Sequence, residues 1–466
     1  MKIRELFDKT RPIDRHIPAV INYAAASESL LRQEISEYEV TDKLAGHFER
    51  FINNLSAGFE GGEGQEVGVW VSGFYGSGKS SFTKYLGFAL DPSRKVGTDR
   101  FLTLFQNQLP SQPLRQQLAL LAKNHSATVI MVDLASVAAA NIKSQGISRL
   151  VYNKVMEWAG YSKDEKIALL ELKVEDDKRK AEFLSHITDL GYDWNELRDD
   201  LLESNTIAGE VAAKMYPKVW RDGDHFYNVR IDSSYGEDER LRQMLQLIES
   251  RTGSPRVLFI LDEVGQFIEG TDRLITNLQG FAENLKNISR GKAWVICTAQ
   301  QTLPVSGPLF KLKDRFPESL RVDIESSDIR EITYRRLLKK SPEALSLLKK
   351  LFNEHSGGLG TATQFKGTKL AQANLDAEVF AQLHPFLPQH FSILMELLRS
   401  LARSTGGVGL RSTLKVIQDV LVDVSGKRRG FTLLADQEVG TLATGDVFYD
   451  TLASNIERAN RPILLT

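Results

Sequence analysis

Cysteine is almost absent: Cys297 is the single one in 466 residues. One thiol cannot close an internal disulfide or build a cysteine metal cluster, and it suits a reducing compartment, with the cytoplasm as the default. Net charge is equally scarce. The 59 Lys and Arg residues face 60 Asp and Glu, a formal charge of −1, so global charge offers no sign of a nucleic-acid partner, although a local basic face would escape such a count. No run of about 18 apolar residues suggests a membrane span, and Met1 to Thr10 is charged rather than apolar, unlike a signal peptide. Internal repeats and low-complexity tracts are missing too. What is present is an ordinary globular composition, 42% hydrophobic and 26% charged, in a chain longer than one core usually holds. Two or three domains are expected.

The stretch that organises the chain is Gly73 to Ser80, GFYGSGKS. Every fixed position of the phosphate-cradling pattern G-x-x-x-x-G-K-[ST] is filled. An apolar run from Val67 to Val71 precedes it and reads as a buried parallel strand, while Ser81 to Leu90 continues as a helix. In that setting Gly73, Gly76, Ser77, Gly78 and Ser81 line a concavity where backbone N–H groups and the helix N-terminus converge on a β-phosphate. Lys79 adds a point charge towards the β- and γ-phosphates, and Ser80 offers a hydroxyl to Mg²⁺. The plain alternative is a glycine-rich turn with a stray lysine.

Further apolar runs end in polar residues. They are Thr128 to Leu134, Arg256 to Leu261 followed by Asp262, and Ala293 to Thr298. Continuous apolar strands separated by helical stretches predict an α/β fold with a parallel sheet covered on both faces. Between Lys79 and Asp262 the chain is far longer than the roughly 60 residues that two strand–helix crossovers need. A helical insertion is therefore expected at about 137–225, with Trp158, Trp194 and Trp220 in a small core of its own. Before the first strand, Glu28 to Leu55 reads as helical, with Tyr38, Leu44, Phe48, Phe51, Ile52 and Leu55 as its apolar stripe. Ile17, Val20 and Ile21 lie where a linker could line the adenine side of a nucleotide pocket, with ordinary core packing as the alternative. After Asp328 the strands give way to helices, interrupted by a polar stretch from Gly357 to Gly367, and a helical body there is placed to act as a lid. The expected organisation is an N-terminal linker and helix over 1–60, a nucleotide core over 61–325, a helical lid over 326–425 and the start of a further region over 426–466. The apolar ending Ile463-Leu464-Leu465-Thr466 suggests that the parent protein continues.

The remaining candidates form a hydrolytic set. Asp262, at the end of a buried strand, suits the water shell of Mg²⁺, and Glu263 can polarise an attacking water. Gln300 or Thr298, at the end of the following strand, could touch both that water and the γ-phosphate, or could simply cap the strand. Arg315 stands where an arginine can reach a neighbouring subunit's γ-phosphate, or can pair on the surface with Asp314 or Glu318. Arg411 opens a lid helix from which it could meet the phosphates. Its alternative is an ordinary helix-start arginine.

In this order, the phosphate loop, Asp262-Glu263, Gln300, Arg315 and Arg411 resemble the AAA+ class of P-loop NTPases over about residues 60–425. The opening KIRELFDKTRPIDRHIPAVI, the loop VSGFYGSGKSSFTKYLG, the strand VLFILDEVGQFI, the segment AQLHPFLPQH and the stretch GLRSTLKVIQDVL are together similar to the N-terminal part of the BREX phage-defence ATPases of the BrxC or PglY type. That resemblance implies a bacterial cytoplasmic ATPase using ATP and Mg²⁺. It implies work with other BREX proteins, among them a DNA methyltransferase and an alkaline-phosphatase-like protein, with possible DNA contact and a homo-oligomeric state. ATP is expected over GTP because no Asn-Lys-x-Asp guanine-reading sequence follows the core. Two other functions share these features: a nucleotide-gated scaffold with little turnover, and a DNA-encircling loader of the origin-recognition type.

Overall fold

The computed structural model describes residues 1–466 apart from 16, 18–26, 62–63, 74–76, 136–145, 201, 229–235, 305, 364–374, 406–409, 425, 427–431 and 465–466. Five strands build the main sheet: β1 Gly68–Gly73, β2 Thr128–Asp133, β3 Val257–Asp262, β4 Ala293–Ala299 and β5 Arg321–Ile324. They lie in the order β2-β3-β4-β1-β5, and every neighbouring pair is parallel. β3 and β4 are buried along their whole length. Such strands read as unbroken apolar runs because both faces are covered.

The strand order explains where a ligand site belongs. β1 connects to β2 by passing over β4 and β3; the chain then steps back through β3 and β4 and hops over β1 to reach β5. Crossovers between parallel strands are right-handed, so reversing the direction of travel moves the connecting helices to the opposite face. Helices Lys79–Leu90, Phe101–Gln106 and Gln112–Asn124 accordingly pack with one another, and Ile147–Trp158, Glu237–Thr252 and Asp272–Ser289 form a second group. Neighbouring strands β1 and β4 send their connections to different sides. The crevice beyond their carboxyl ends is the place where ligands bind in open α/β sheets. This is the architecture of a P-loop NTPase, an α/β fold with a parallel sheet.

Ahead of the sheet, the expected single helix is two, Glu28–Ser36 and Asp42–Phe59. The break follows from Thr41, whose hydroxyl accepts the Leu44 N–H and starts the second helix, while donating to Asp328 Oδ1 at 3.1 Å. From Leu44 on the predicted stripe is the buried one: Leu44, Phe48, Phe51, Ile52 and Leu55 face the sheet core, while Tyr38 falls in the break and is partly buried against the same core. Phe48 stacks on Phe82 with centroids 4.4 Å apart and meets Phe105 edge-on at 5.6 Å. Each ring buried this way contributes about 1.5–3 kcal/mol, so the helix holds the Lys79–Leu90 helix firmly against β1.

Three smaller cores lie beyond the sheet among the described residues. Ile167, Phe183, Trp194, Val211 and Phe226 gather with Trp220 in the insertion. Trp158 does not join them; it packs on the sheet core, because its helix covers the sheet. The C-terminal helices Pro388–Thr405, Leu410–Val422 and Gly445–Leu464 enclose a second. Leu434, Phe448 and Leu452, from the chain beyond residue 431, belong to that same cluster. So do Ile3, Phe7, Ile13 and Ile17 from the extreme N-terminus. Ile17 is thus a core residue, while Val20 and Ile21 lie outside the described residues. Helix Pro342–Ala362 runs through the start of the expected break, Gly357 and Gly358, and packs Leu359 partly against the third core, around Leu348 and Phe380; 364–367 lie outside the described residues.

Candidate functional site

β1 ends at Gly73 and the loop helix begins at Lys79. Gly73 has φ +155°, and a Cβ there would lie 2.5 Å from Ser77 Oγ and 2.9 Å from the Ile324 carbonyl oxygen, so only glycine fits where the loop leaves the sheet. Gly78 caps the helix in the left-handed region, with φ 101° and ψ 8°. Gly76 lies outside the described residues. Ser77 is buried, and its Oγ has no hydrogen-bond partner among the described residues. Ser81 is half-buried in the first turn of the helix. Lys79 is 2% exposed and its Nζ donates to the Gly73 carbonyl at 2.9 Å, curling back over the loop. Burial pushes its pKa down, and the carboxylates of Glu263 and Asp262 oppose that shift.

The carboxylates come from β3. Asp262 Oδ1 accepts the Ser80 hydroxyl at 2.9 Å and the Thr298 hydroxyl at 2.6 Å. Thr298 Oγ1 in turn accepts the Glu263 N–H at 2.9 Å. One buried hydroxyl on β4 thereby fixes the last residue of β3 and the residue that follows it. Glu263 needs that support, since its backbone is left-handed at φ 58° and ψ 33°, a conformation costing a non-glycine residue about 1–2 kcal/mol. Its Oε2 is buried with no hydrogen-bond partner among the described residues. Burial raises the Glu263 pKa; Lys79 pulls the other way, Asp262 adds to the rise, and a hydrogen bond with Gln300 opposes it. Thr298 and Gln300 therefore divide the work that the sequence leaves open between them: the threonine holds backbone and Asp262, and the glutamine meets the Glu263 carboxyl.

This donor set suits a nucleoside triphosphate with Mg²⁺. A hydroxyl and a carboxylate within 2.9 Å of each other are hard oxygen donors of the kind Mg²⁺ takes alongside phosphates and water, rather than a closed protein cage. Among the described residues no group of three or more His, Cys, Asp or Glu forms such a cage. Ser80 and Asp262 would hold the ion, and the orphaned Glu263 Oε2 would find its partner in a water at the phosphate end. Bound there, Mg²⁺ would neutralise charge on the β- and γ-phosphate oxygens.

No protein-family model matches the chain. Among solved structures, a chain of the Drosophila ORC bound to DNA aligns with 97% of this chain and 71% of that one, at 12% identity and a TM-score of 0.31. So slight a likeness carries no argument about function. The site's own geometry does. No helix among the described residues is long and apolar enough to cross a membrane.

Two candidates stand apart from this cluster. Arg315 pairs neither with Asp314 nor with Glu318; its Nη1 lies 3.2 Å from Glu66 Oε1 and its Nη2 lies 2.8 Å from Glu283 Oε1. Glu66 precedes the first residue of β1, so Arg315 sits at the amino end of the sheet, opposite the loop. Arg411 lies in the first turn of helix Leu410–Val422, and its side chain is outside the described residues. One neighbour of the site escaped sequence reasoning altogether. Lys84, one helical turn past Ser80, reaches Asp262 Oδ2 at 3.5 Å, and the only signal for it is that i, i+4 spacing.

Proposed function

We propose that the chain is a Mg²⁺-dependent ATPase of the AAA+ kind. The observation that carries this reading is the Ser80–Asp262–Thr298–Glu263 cluster, in which a metal-suited pair and a buried carboxylate with an orphaned oxygen meet at the end of the phosphate loop. The loop amides and Lys79 bind the β- and γ-phosphates, and Ser80 and Asp262 seat the ion. Glu263 orients a water and takes its proton as the water oxygen attacks the γ-phosphorus; the bond to the β,γ-bridging oxygen breaks and ADP departs. Gln300 keeps the Glu263 carboxyl aimed. Arg411, from the helical body, reports the nucleotide state to the lid, and Arg315 serves a neighbouring subunit.

The finer assignment, a component of a bacterial BREX anti-phage complex acting with other BREX proteins on DNA, rests on the resemblance of the opening segment and the His-Pro-Phe-Leu-Pro stretch. In this reading nucleotide state is coupled to assembly or remodelling. Steady-state phosphate release by the wild type and by Glu263→Gln tests the enzymatic core. The expected outcome is Mg²⁺-dependent release in the wild type and a drop of about 10²-fold or more in the variant, with nucleotide affinity retained. Equal, near-background rates in both, with tight nucleotide binding, would instead favour the scaffold with little turnover.

A further inference from the structure

The hydrolytic scheme leaves Lys84, beside the metal-suited pair, without a task. Lys84 stands on the same face of the loop helix as Ser80, one turn further on. Its Nζ lies 3.5 Å from Asp262 Oδ2, with the lysine side chain 23% exposed and the aspartate side chain 11% exposed. The two oxygens of Asp262 are thus divided. Oδ1 takes the hydroxyls of Ser80 and Thr298, and Oδ2 faces an ammonium. A largely buried carboxylate is costly without cations near it, and Lys84 is the ammonium that faces Oδ2. Lys79, whose Nζ donates to the Gly73 carbonyl, adds a second positive charge that acts on Asp262 through space.

We propose that Lys84 is a resident counter-ion that competes with the divalent cation for Asp262 and so sets the Mg²⁺ concentration at which nucleotide is held. The inference rests on the nucleotide site proposed above. A fixed positive charge beside the metal-holding carboxylate stabilises the metal-free site and repels an arriving cation. Removing it tilts the balance towards metal. Both charges are partly screened by water, so the effect is moderate and weakens as salt rises. Lys84 is a positioning residue here, acting through Asp262 and not on the phosphates.

The test is a Mg²⁺ titration of the full chain with a fluorescent ATP analogue, read as nucleotide binding rather than turnover. Lys84→Met keeps the apolar stem and removes the charge; Lys84→Gln is a second neutral variant, and Lys84→Arg keeps the charge. Both neutral variants are expected to lower the half-saturating Mg²⁺ concentration roughly 3- to 10-fold, with Lys84→Arg near the wild type and the difference shrinking at high salt. Melting curves matching the wild type establish that the variants fold. An unchanged or raised half-saturating concentration in folded neutral variants overturns this proposal alone. Failure of the wild type to bind the analogue at any Mg²⁺ concentration overturns the nucleotide reading, and this proposal with it.

Discussion

Glu263 concentrates the chemistry and the strain of the site in one residue. Its left-handed backbone is held by Thr298, its carboxyl is buried, and Gln300 bonds to that carboxyl. Because burial raises its pKa above the ordinary 4.5, a smaller fraction is ionised at any given acidic pH. A proton acceptor must be ionised, so the rate should fall as pH drops through this raised value. The acidic limb of kcat for phosphate release is therefore expected above pH 4.5, and Gln300→Leu, which removes a hydrogen bond favouring the carboxylate, should move it higher still. A limb at or below the ordinary carboxylate value, or one indifferent to Gln300→Leu, would count against Glu263 as the base. Motif spacing made Lys79, Ser80, Asp262 and Glu263 legible in the sequence. It could not decide between Thr298 and Gln300, because only the strand's end and its register say which side chain meets Asp262 and which meets Glu263. The pairing of Leu261 with Cys297 sets Thr298 next to Asp262.

At the scale of elements, the N-terminal segment behaves as a strap. Ile3, Phe7 and Ile13 are buried in the C-terminal helical cluster, while Arg15 Nε pairs with Glu37 Oε1 at 3.0 Å, just past the first helix. Arg336, in the π-helical turn Tyr334–Leu338, reaches Glu37 Oε2 at 2.9 Å. Burial alone would raise the Glu37 pKa, but the hydrogen bonds and charges of Arg15 and Arg336 outweigh it and hold the group at about 2. A depressed carboxyl stabilises the fold above its unfolded pKa, and that contribution is lost as pH falls through the folded value. The window here runs from about 4.5 down to about 2, and the contribution at neutral pH is on the order of 3 kcal/mol. Glu37→Gln should therefore lower the melting temperature at pH 7 and flatten its dependence on pH across that window. Parallel melting curves for variant and wild type would remove Glu37 from the account. None of this is readable from local pattern, since Arg336 lies 299 positions from Glu37 and Arg15 lies 22, both beyond helix or strand spacing; the helix periodicity from Leu44 to Leu55 is readable, because it is local. The helix through Gly357 and Gly358 was missed for the converse reason. Glycine lowers helix propensity by about 1 kcal/mol per residue, yet the helix continues, anchored by Ala344 and Leu348 buried on its earlier turns and by Leu359 packed partly against the same cluster.

For the whole molecule the placement of Arg315 bears on whether subunits share sites. In its own chain it clamps Glu66 and Glu283 at the amino end of the sheet, while the phosphate loop leaves the carboxyl end. No rearrangement within one subunit that keeps the sheet intact brings it to its own nucleotide, so a catalytic part requires a second copy. Giving up two partly exposed ion pairs costs only about 1 kcal/mol each, small beside the 10³-fold or greater gain an arginine supplies to phosphoryl transfer. If neighbours share sites, Arg315→Ala should lose turnover while binding the fluorescent analogue within about twofold of the wild type, because the arginine acts as the transition state forms. Mixing then separates the two roles. Arg315→Ala subunits retain Glu263, and Glu263→Gln subunits retain Arg315; when equal amounts assemble at random, about one site in four combines an intact Glu263 with a neighbour's intact Arg315. Recovery of phosphate release to about a quarter of the wild-type rate, accompanied by a larger particle with ATP than without it, is the expected result. A mixture as inactive as its components, from subunits that do co-assemble, would leave Arg315 a structural clamp between the start of β1 and the helix Asp272–Ser289.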